Sequence, residues 1–173
     1  MKLVFETERL LLREFCIEDA QFFYDLNTDE EVLKYTGDVA FSSVESAGIF
    51  LEAYKEYEKN GFGRWIVLKK EDNLPIGWCG LKRNEEGMID LGFRFVREEW
   101  NKGYATEAAR ASLQYGFSKL GMNEIIGRTA MDNKGSIKVL EKIGMRFWKH
   151  YYFEGIDSAF YYRITKNEFL TTV

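Results

Sequence analysis

The hydrophobic period of the chain changes within residues 88–117, and the remaining elements can be placed around that change. Leu91, Phe93 and Phe95 alternate with Asp90, Gly92 and Arg94, a period of two that predicts a strand with one apolar face. Polar residues from Arg97 to Lys102, with Trp100 among them, suit a solvated turn. Beyond it Ala105, Ala108, Ala109, Ser112, Leu113, Gly116 and Phe117 fall on one side of a helix, with Glu107, Arg110, Gln114 and Ser118 on the other. The buried face is built mostly from small side chains, which let a helix approach a sheet closely. Gly92 interrupts its strand, as a glycine does at a bulge or where another group comes near. Gly103 leaves room for a ligand against its backbone, Lys102 adds a positive charge, and a helix N-terminus presents unpaired N–H groups suited to phosphate.

The flanking segments predict their own elements. Residues 3–15 read as a first strand, residues 18–27 as a helix with Ala20, Phe23 and Leu26 inward, and residues 30–35 as a short second helix. Ser42 and Glu45 have the spacing of a capping box, followed by an apolar stripe of Ala47, Phe50, Leu51 and Tyr54 and a stop at Lys59-Asn60-Gly61. Residues 64–70, 75–84 and 88–96 predict three strands joined by polar turns, an antiparallel meander. After the helix come a strand over 124–131 and a short helix capped by Asn133, with Ile137, Leu140 and Ile143 inward and Gly144 at its end. Two aromatic strands, 146–153 and 158–165, close the chain through Gly155. This order indicates an α+β domain with a mixed, mainly antiparallel sheet.

Composition narrows the class. The 173 residues suit one domain, 1–173, large enough to bury a core, and 46% hydrophobic with 30% charged residues is ordinary for a soluble protein. No apolar run reaches the ~18 residues of a membrane span and the start lacks a secretory layout, so the expected location is cytoplasmic, without membrane contact. Cys16 and Cys79 fit neither a disulfide framework nor a metal motif. A net charge of −4 argues against nucleic acid as the main partner and is compatible with a basic or amine substrate. No Gly-Lys-Ser/Thr and no strand-borne G-x-G-x-x-G is present for a nucleotide.

Trp100-x-x-Gly103-x-Ala105 followed by Thr106-Glu107-Ala108 resembles the acyl-CoA pyrophosphate loop of the GNAT N-acetyltransferases, with Trp100 departing from the usual Gln or Arg. The opening stretch from Glu6 to Arg13, the segment Ile76-Gly-Trp-Cys-Gly-Leu81, and Asn133-x-x-Ser136 leading into Glu141-Lys-Ile-Gly-Met145 are similar to the Rim-type branch, which acetylates ribosomal-protein N-termini. The resemblance implies the GNAT acyl-CoA N-acyltransferase fold, with helices flanking a sheet whose two central strands splay apart around coenzyme A. It also implies an acetyl-CoA-dependent N-acetyltransferase acting by direct attack of a primary amine, most simply a protein or peptide N-terminal α-amine, with no metal. A small amine or antibiotic acceptor, or a non-catalytic acyl-CoA sensor, are the alternatives.

By the same resemblance, Asn101, Lys102, Gly103, Tyr104, Ala105 and Thr106 hold the pyrophosphate. The backbone of Arg94, Phe95 and Val96 pairs with the pantetheine arm and polarises the thioester carbonyl, and Asn133 and Ser136 form a second cofactor contact. Leu140 stands where many relatives carry a tyrosine that protonates the leaving thiolate, which leaves Ser136, a water or no dedicated acid. Asp90 is the candidate to order a water that takes the amine proton, its alternative being a solvated or salt-bridged strand residue. Tyr35 and Arg64 are the candidate acceptor residues, whereas Trp65, Trp78 and the closing aromatic hairpin suit either the lining of an acceptor pocket or the core, with core the better reading for most of them. His150 follows the cofactor elements and is a weak catalytic candidate. The assembly is expected to be a monomer or a homodimer.

Overall fold

The computed structural model describes residues 2–153 and 156–171; the expected link through Gly155 lies outside them. The predicted first strand is instead a hairpin, β1 (Leu3–Glu6) and β2 (Leu10–Arg13). Thr7 makes the difference: its N–H donates to Leu10 O at 2.9 Å and its hydroxyl accepts from Leu10 N at 3.0 Å, closing a turn inside what reads as one apolar run. A 3-10 turn (Ile17–Asp19) leads into α1 (Ala20–Leu26), and α2 (Glu30–Leu33) is capped by the Asp29 carboxylate. The capping box of α3 (Val44–Ala53) lies one residue beyond the predicted one. Ser43 and Ser46 each accept the other's N–H at 3.1 Å, so Ser42 and Glu45 are not the pair. The helix then breaks at Tyr54, and a short α4 (Glu56–Asn60) ends at the left-handed Gly61.

The predicted meander is present as β3 (Arg64–Lys69), β4 (Pro75–Arg83) and β5 (Ile89–Phe95). It is followed by α5 (Tyr104–Ser118), β6 (Glu124–Ala130), α6 (Lys134–Lys142), β7 (Arg146–Phe153), β8 (Ile156–Thr165) and α7 (Lys166–Thr171), the last not anticipated. One eight-stranded sheet runs β1-β2-β3-β4-β5-β6-β8-β7, antiparallel except between β5 and β6. Those two are paired only at Asp90–Ile126 and Leu91–Gly127, so their later halves diverge, as the expected splay requires.

Helices cover both faces. On one, Ala108, Ala109, Leu113 and Phe117 of α5 pack on Leu12, Leu81 and Leu91. A Cβ added to Gly116 would lie 2.8 Å from Leu81 Cδ1, so the small face of α5 is what permits this approach. On the other face α1 and α3 bury Phe23, Ala47 and Leu51 against Ile66 and Leu68. Each large apolar side chain sealed this way contributes about 1.5–3 kcal/mol. Trp65 belongs to this core, as expected.

Candidate active site

The turn after β5 is fixed from inside the sheet. Val96 N–H donates to Ile76 O at 3.0 Å, and Trp100 Nε1 donates to Phe95 O at 2.9 Å. Trp100 therefore anchors the loop by its indole N–H. Asn101 and Gly103 both take positive φ, 61° and 86°, and turn the chain into α5. Glu107 N–H, bonded to Gly103 O at 3.0 Å, is the first that the helix uses. Among the described residues nothing accepts from the six consecutive N–H groups of residues 101–106, and Gly103 supplies no side-chain cap. A row of unpaired donors at the positive end of a 15-residue helix is a site for an anion.

That row is braced by residues that the sequence reading passed over. Glu107 accepts from Thr7 Oγ1 at 2.6 Å, Arg9 N at 2.9 Å and Arg9 Nε at 2.6 Å. Arg9 Nη1 in turn donates to Lys102 O at 3.1 Å, and the guanidinium lies 4.3 Å from the Tyr104 ring centroid. Burial alone would raise the Glu107 carboxyl, but the bonds from Thr7 and Arg9 outweigh it and hold it below the ordinary range. The one local signal was Thr7-Glu8-Arg9 interrupting an apolar run; its partner lies 98 residues away.

Phe93 and Phe95 point to the α5 side, while Asp90, Gly92 and Arg94 line the opposite face of β5. Past Leu91 the edge of β5 toward β6 has no ladder partner among the described residues, leaving backbone at residues 92–95 for an extended ligand to pair with.

On that opposite face, under α3, lies a cavity of about 600 Å³. Phe15, Phe23, Phe41, Phe50, Tyr54 and Trp78 form its apolar part; Arg64, Lys82, Asp90, Arg94 and Arg128 supply charge. Asp90 is only 6% exposed, and its Oδ2 accepts from Arg64 Nη2 at 3.2 Å and Arg128 Nη2 at 3.1 Å. Its Oδ1 is buried with no partner. Arg64 is held on every side. Its Nη1 also donates to the carbonyls of Gly80 and Asp90, its N–H to Tyr54 Oη at 2.7 Å, and its own carbonyl accepts from Tyr57 Oη. Burial pushes the Tyr54 hydroxyl up to about 12 and raises Tyr57 further, so both remain neutral hydrogen-bonding groups. Arg94 donates to Asn27 Oδ1 and Asp38 Oδ2, and both Arg64 and Arg94 lie within 5.5 Å of the Trp78 ring. Of the two readings open for Trp78, pocket lining and core, it is half-buried cavity wall.

The remaining candidates separate. Asn133 caps α6, accepting from Ser136 N at 3.0 Å, so these two residues come together. Leu140 is 1% exposed and packs over Gly127, where an added Cβ would lie 2.9 Å from its Cδ2. Tyr35 is outside the cavity lining and pairs with Lys34 at 5.5 Å; of the two acceptor candidates, Arg64 alone lines it. His150 is exposed against Phe147 and Phe160. Burial pushes the Cys16 thiol up to about 11 and Cys79 up to about 12, so neither is a thiolate at neutral pH. Among the described residues no cluster of three or more His, Cys, Asp or Glu is placed to hold a metal ion, and no helix is long and apolar enough to cross a membrane.

Residues 9–146 match the family model for an acetyltransferase (GNAT) domain. The chain belongs to the GNAT acetyltransferases. The N-acetyltransferase YnaD of Bacillus subtilis (strain 168) is 35% identical over 167 residues, covering 94% of this chain and 96% of YnaD. A GNAT-family acetyltransferase structure from Bacillus anthracis superposes with a TM-score of 0.81 at 30% identity, over 96% of this chain and 99% of that one. Two more distant structures share the fold alone. One is a spermidine N-acetyltransferase from Vibrio cholerae in complex with CoA and spermine (TM-score 0.78, 20% identity, covering 95% and 99%). The other is the ribosomal-protein-S5-alanine acetyltransferase from Vibrio fischeri (TM-score 0.78, 17% identity, covering 95% and 97%). This N-acetyltransferase therefore belongs to a family whose members use acetyl-CoA, on a fold that serves unlike acceptors.

Proposed function

We propose that this GNAT enzyme works as one domain that transfers the acetyl group of acetyl-CoA directly to an α-amine, at the N-terminus of a protein or peptide. The observation carrying the cofactor half is the row of six unpaired N–H groups at residues 101–106, next to the unpaired edge of β5. In this reading Asn101, Lys102, Gly103, Tyr104, Ala105 and Thr106 surround the pyrophosphate. The backbone of Arg94, Phe95 and Val96 takes the pantetheine arm and donates to the oxygen of the tetrahedral intermediate. Asn133 and Ser136, already joined by the α6 cap, form the second contact with the cofactor.

The acceptor half follows from proton balance. The amine attacks as its free base, the carbon–sulfur bond breaks, and the thiolate takes a proton from Ser136 or a water. Deprotonating a lysine side chain at pH 7 costs roughly 4.6 kcal/mol, but an α-amine only about 1 kcal/mol. Asp90 Oδ2 is shared by two guanidiniums and Oδ1 is buried without a partner, so in this reading Asp90 assists only once the bound acceptor brings a water to Oδ1. Such modest assistance suits an α-amine. Arg64 shapes the acceptor side of the cavity. A peptide carrying both an α-amine and a lysine tests the reading: mass spectrometry should place the acetyl group on the α-amine, and acetylation confined to the lysine would refute it.

A further inference from the structure

The charge lining the acceptor cavity is opposite in sign to the charge of the whole chain. Six basic and four acidic side chains line it, in a protein of net charge −4. Two of the four basic groups on the strands are fully engaged: Arg64 is bound to Asp90 and two carbonyls, and Arg94 to Asn27 and Asp38. The other two keep free donors. Lys82 sits beside Asp90 in the β4–β5 ladder and lines the cavity, and its ammonium makes no hydrogen bond or ion pair with a described residue. Arg128 uses one donor, Nη2, on Asp90; its Nη1 comes no nearer than 3.8 Å to Glu85, whose side chain is 84% exposed.

From these unused donors we infer that the acceptor amine carries a carboxylate close to its nitrogen, held between Lys82 and Arg128. This deepens, and rests on, the transferase reading above. The position of the cations sets the distance. Arg128 lies on β6 one residue past Gly127, the last to pair with β5, where the two strands begin to diverge and the thioester would arrive, and Lys82 stands on the other side of β5, opposite Asp90. An anion bound there sits near the attacking nitrogen, within a few bonds of it, not at the far end of a long acceptor. A free amino acid and a peptide beginning with Asp or Glu both present this arrangement. The aromatic part of the cavity is left for the rest of the molecule. A polyamine, with two or more positive charges and no anion, is disfavoured by the same groups.

Steady-state thiol release from acetyl-CoA distinguishes these acceptors. The probes are C-terminally amidated pentapeptides differing only in a first residue of Asp, Ala or Lys, together with free glutamate and phenylalanine, and spermidine. The expected kcat/KM is at least tenfold higher for the Asp-first peptide or a free amino acid than for the Ala-first peptide, with the Lys-first peptide and spermidine lowest. The Asp-first peptide leading would identify a protein source for the carboxylate, and a free amino acid leading a small-molecule source. In the Lys82→Glu variant, a change at a side chain without partners, the preference should vanish through a raised KM while CoA affinity is unchanged. Acidic acceptors no better than neutral or basic ones, with CoA bound and other amines acetylated, would overturn the inference and leave the transferase reading standing. Failure of the wild-type protein to bind CoA would remove both.

Discussion

The guanidinium of Arg64 occupies the space a side chain on Gly92 would need: a Cβ added to Gly92 would lie 2.6 Å from Arg64 Cζ. The close approach expected at this interrupted strand is therefore made by an arginine that also holds Asp90. Gly92→Ala should displace Arg64 and destabilise the fold by about 1–3 kcal/mol, the usual range for overpacking. Denaturant unfolding of Gly92→Ala, Arg64→Ala and the double variant checks this. The two changes should be strongly non-additive, because the alanine at 92 has nothing to clash with once Arg64 is shortened.

Asp90→Asn removes a charge that is shared by two guanidiniums and almost wholly buried. Leaving those arginines unpaired should cost about 3–5 kcal/mol of stability. If Asp90 also orders the water that takes the amine proton, the fall in kcat/KM is largest below the pKa of the acceptor amine and shrinks above it. A pH–rate profile with the wild-type shape would assign Asp90 to positioning alone.

At the cofactor loop, Gly103 takes φ 86°, and an added Cβ would lie 3.3 Å from Arg9 Nη2. A β-branched residue is strained in that conformation and would cover the N–H row. Gly103→Val should weaken CoA binding at least tenfold, by calorimetry, with the circular dichroism spectrum retained. Unchanged affinity would show that the pyrophosphate lies elsewhere.

Glu107 links the β1–β2 turn to this loop, and its carboxyl is held below the ordinary range by Thr7 and Arg9 against the opposing effect of burial. A carboxylate whose pKa is depressed on folding adds stability above its unfolded value, about 4.3, and loses it as pH falls through the folded value. The melting temperature should therefore drop as pH is lowered below about 4. Glu107→Gln should lower stability by about 1 kcal/mol at pH 7 and flatten the acid limb, since the side chain is partly exposed. CoA affinity should fall with it, because Arg9 would lose its anchor beside Lys102.

What the sequence shows and what it hides follow from the range of each interaction. The β3–β5 meander and α5 are set by periodicity within a few residues, and each is found within a residue or two of its predicted bounds. The cap at Asn133 is likewise local. Residues 3–15 misled because the turn at Thr7 is made by one side chain within an apolar run, and α3 breaks at Tyr54, whose hydroxyl is needed by Arg64. The links that assemble the site, Arg9–Glu107, Arg64–Asp90 and Arg128–Asp90, join residues far apart in sequence and leave no local pattern. Asp90 and Arg64 were nameable; that they grip one another was not.

The most direct test of the account is thiol release from acetyl-CoA by the purified protein, followed with and without an α-amine acceptor and with the product identified by mass spectrometry. The account predicts saturable thiol release that depends on the amine and matches acetylated amine mole for mole. Acetyl-CoA that binds and is never consumed, with peptides, amino acids or polyamines, would contradict it and leave an acyl-CoA-binding protein in place of an enzyme.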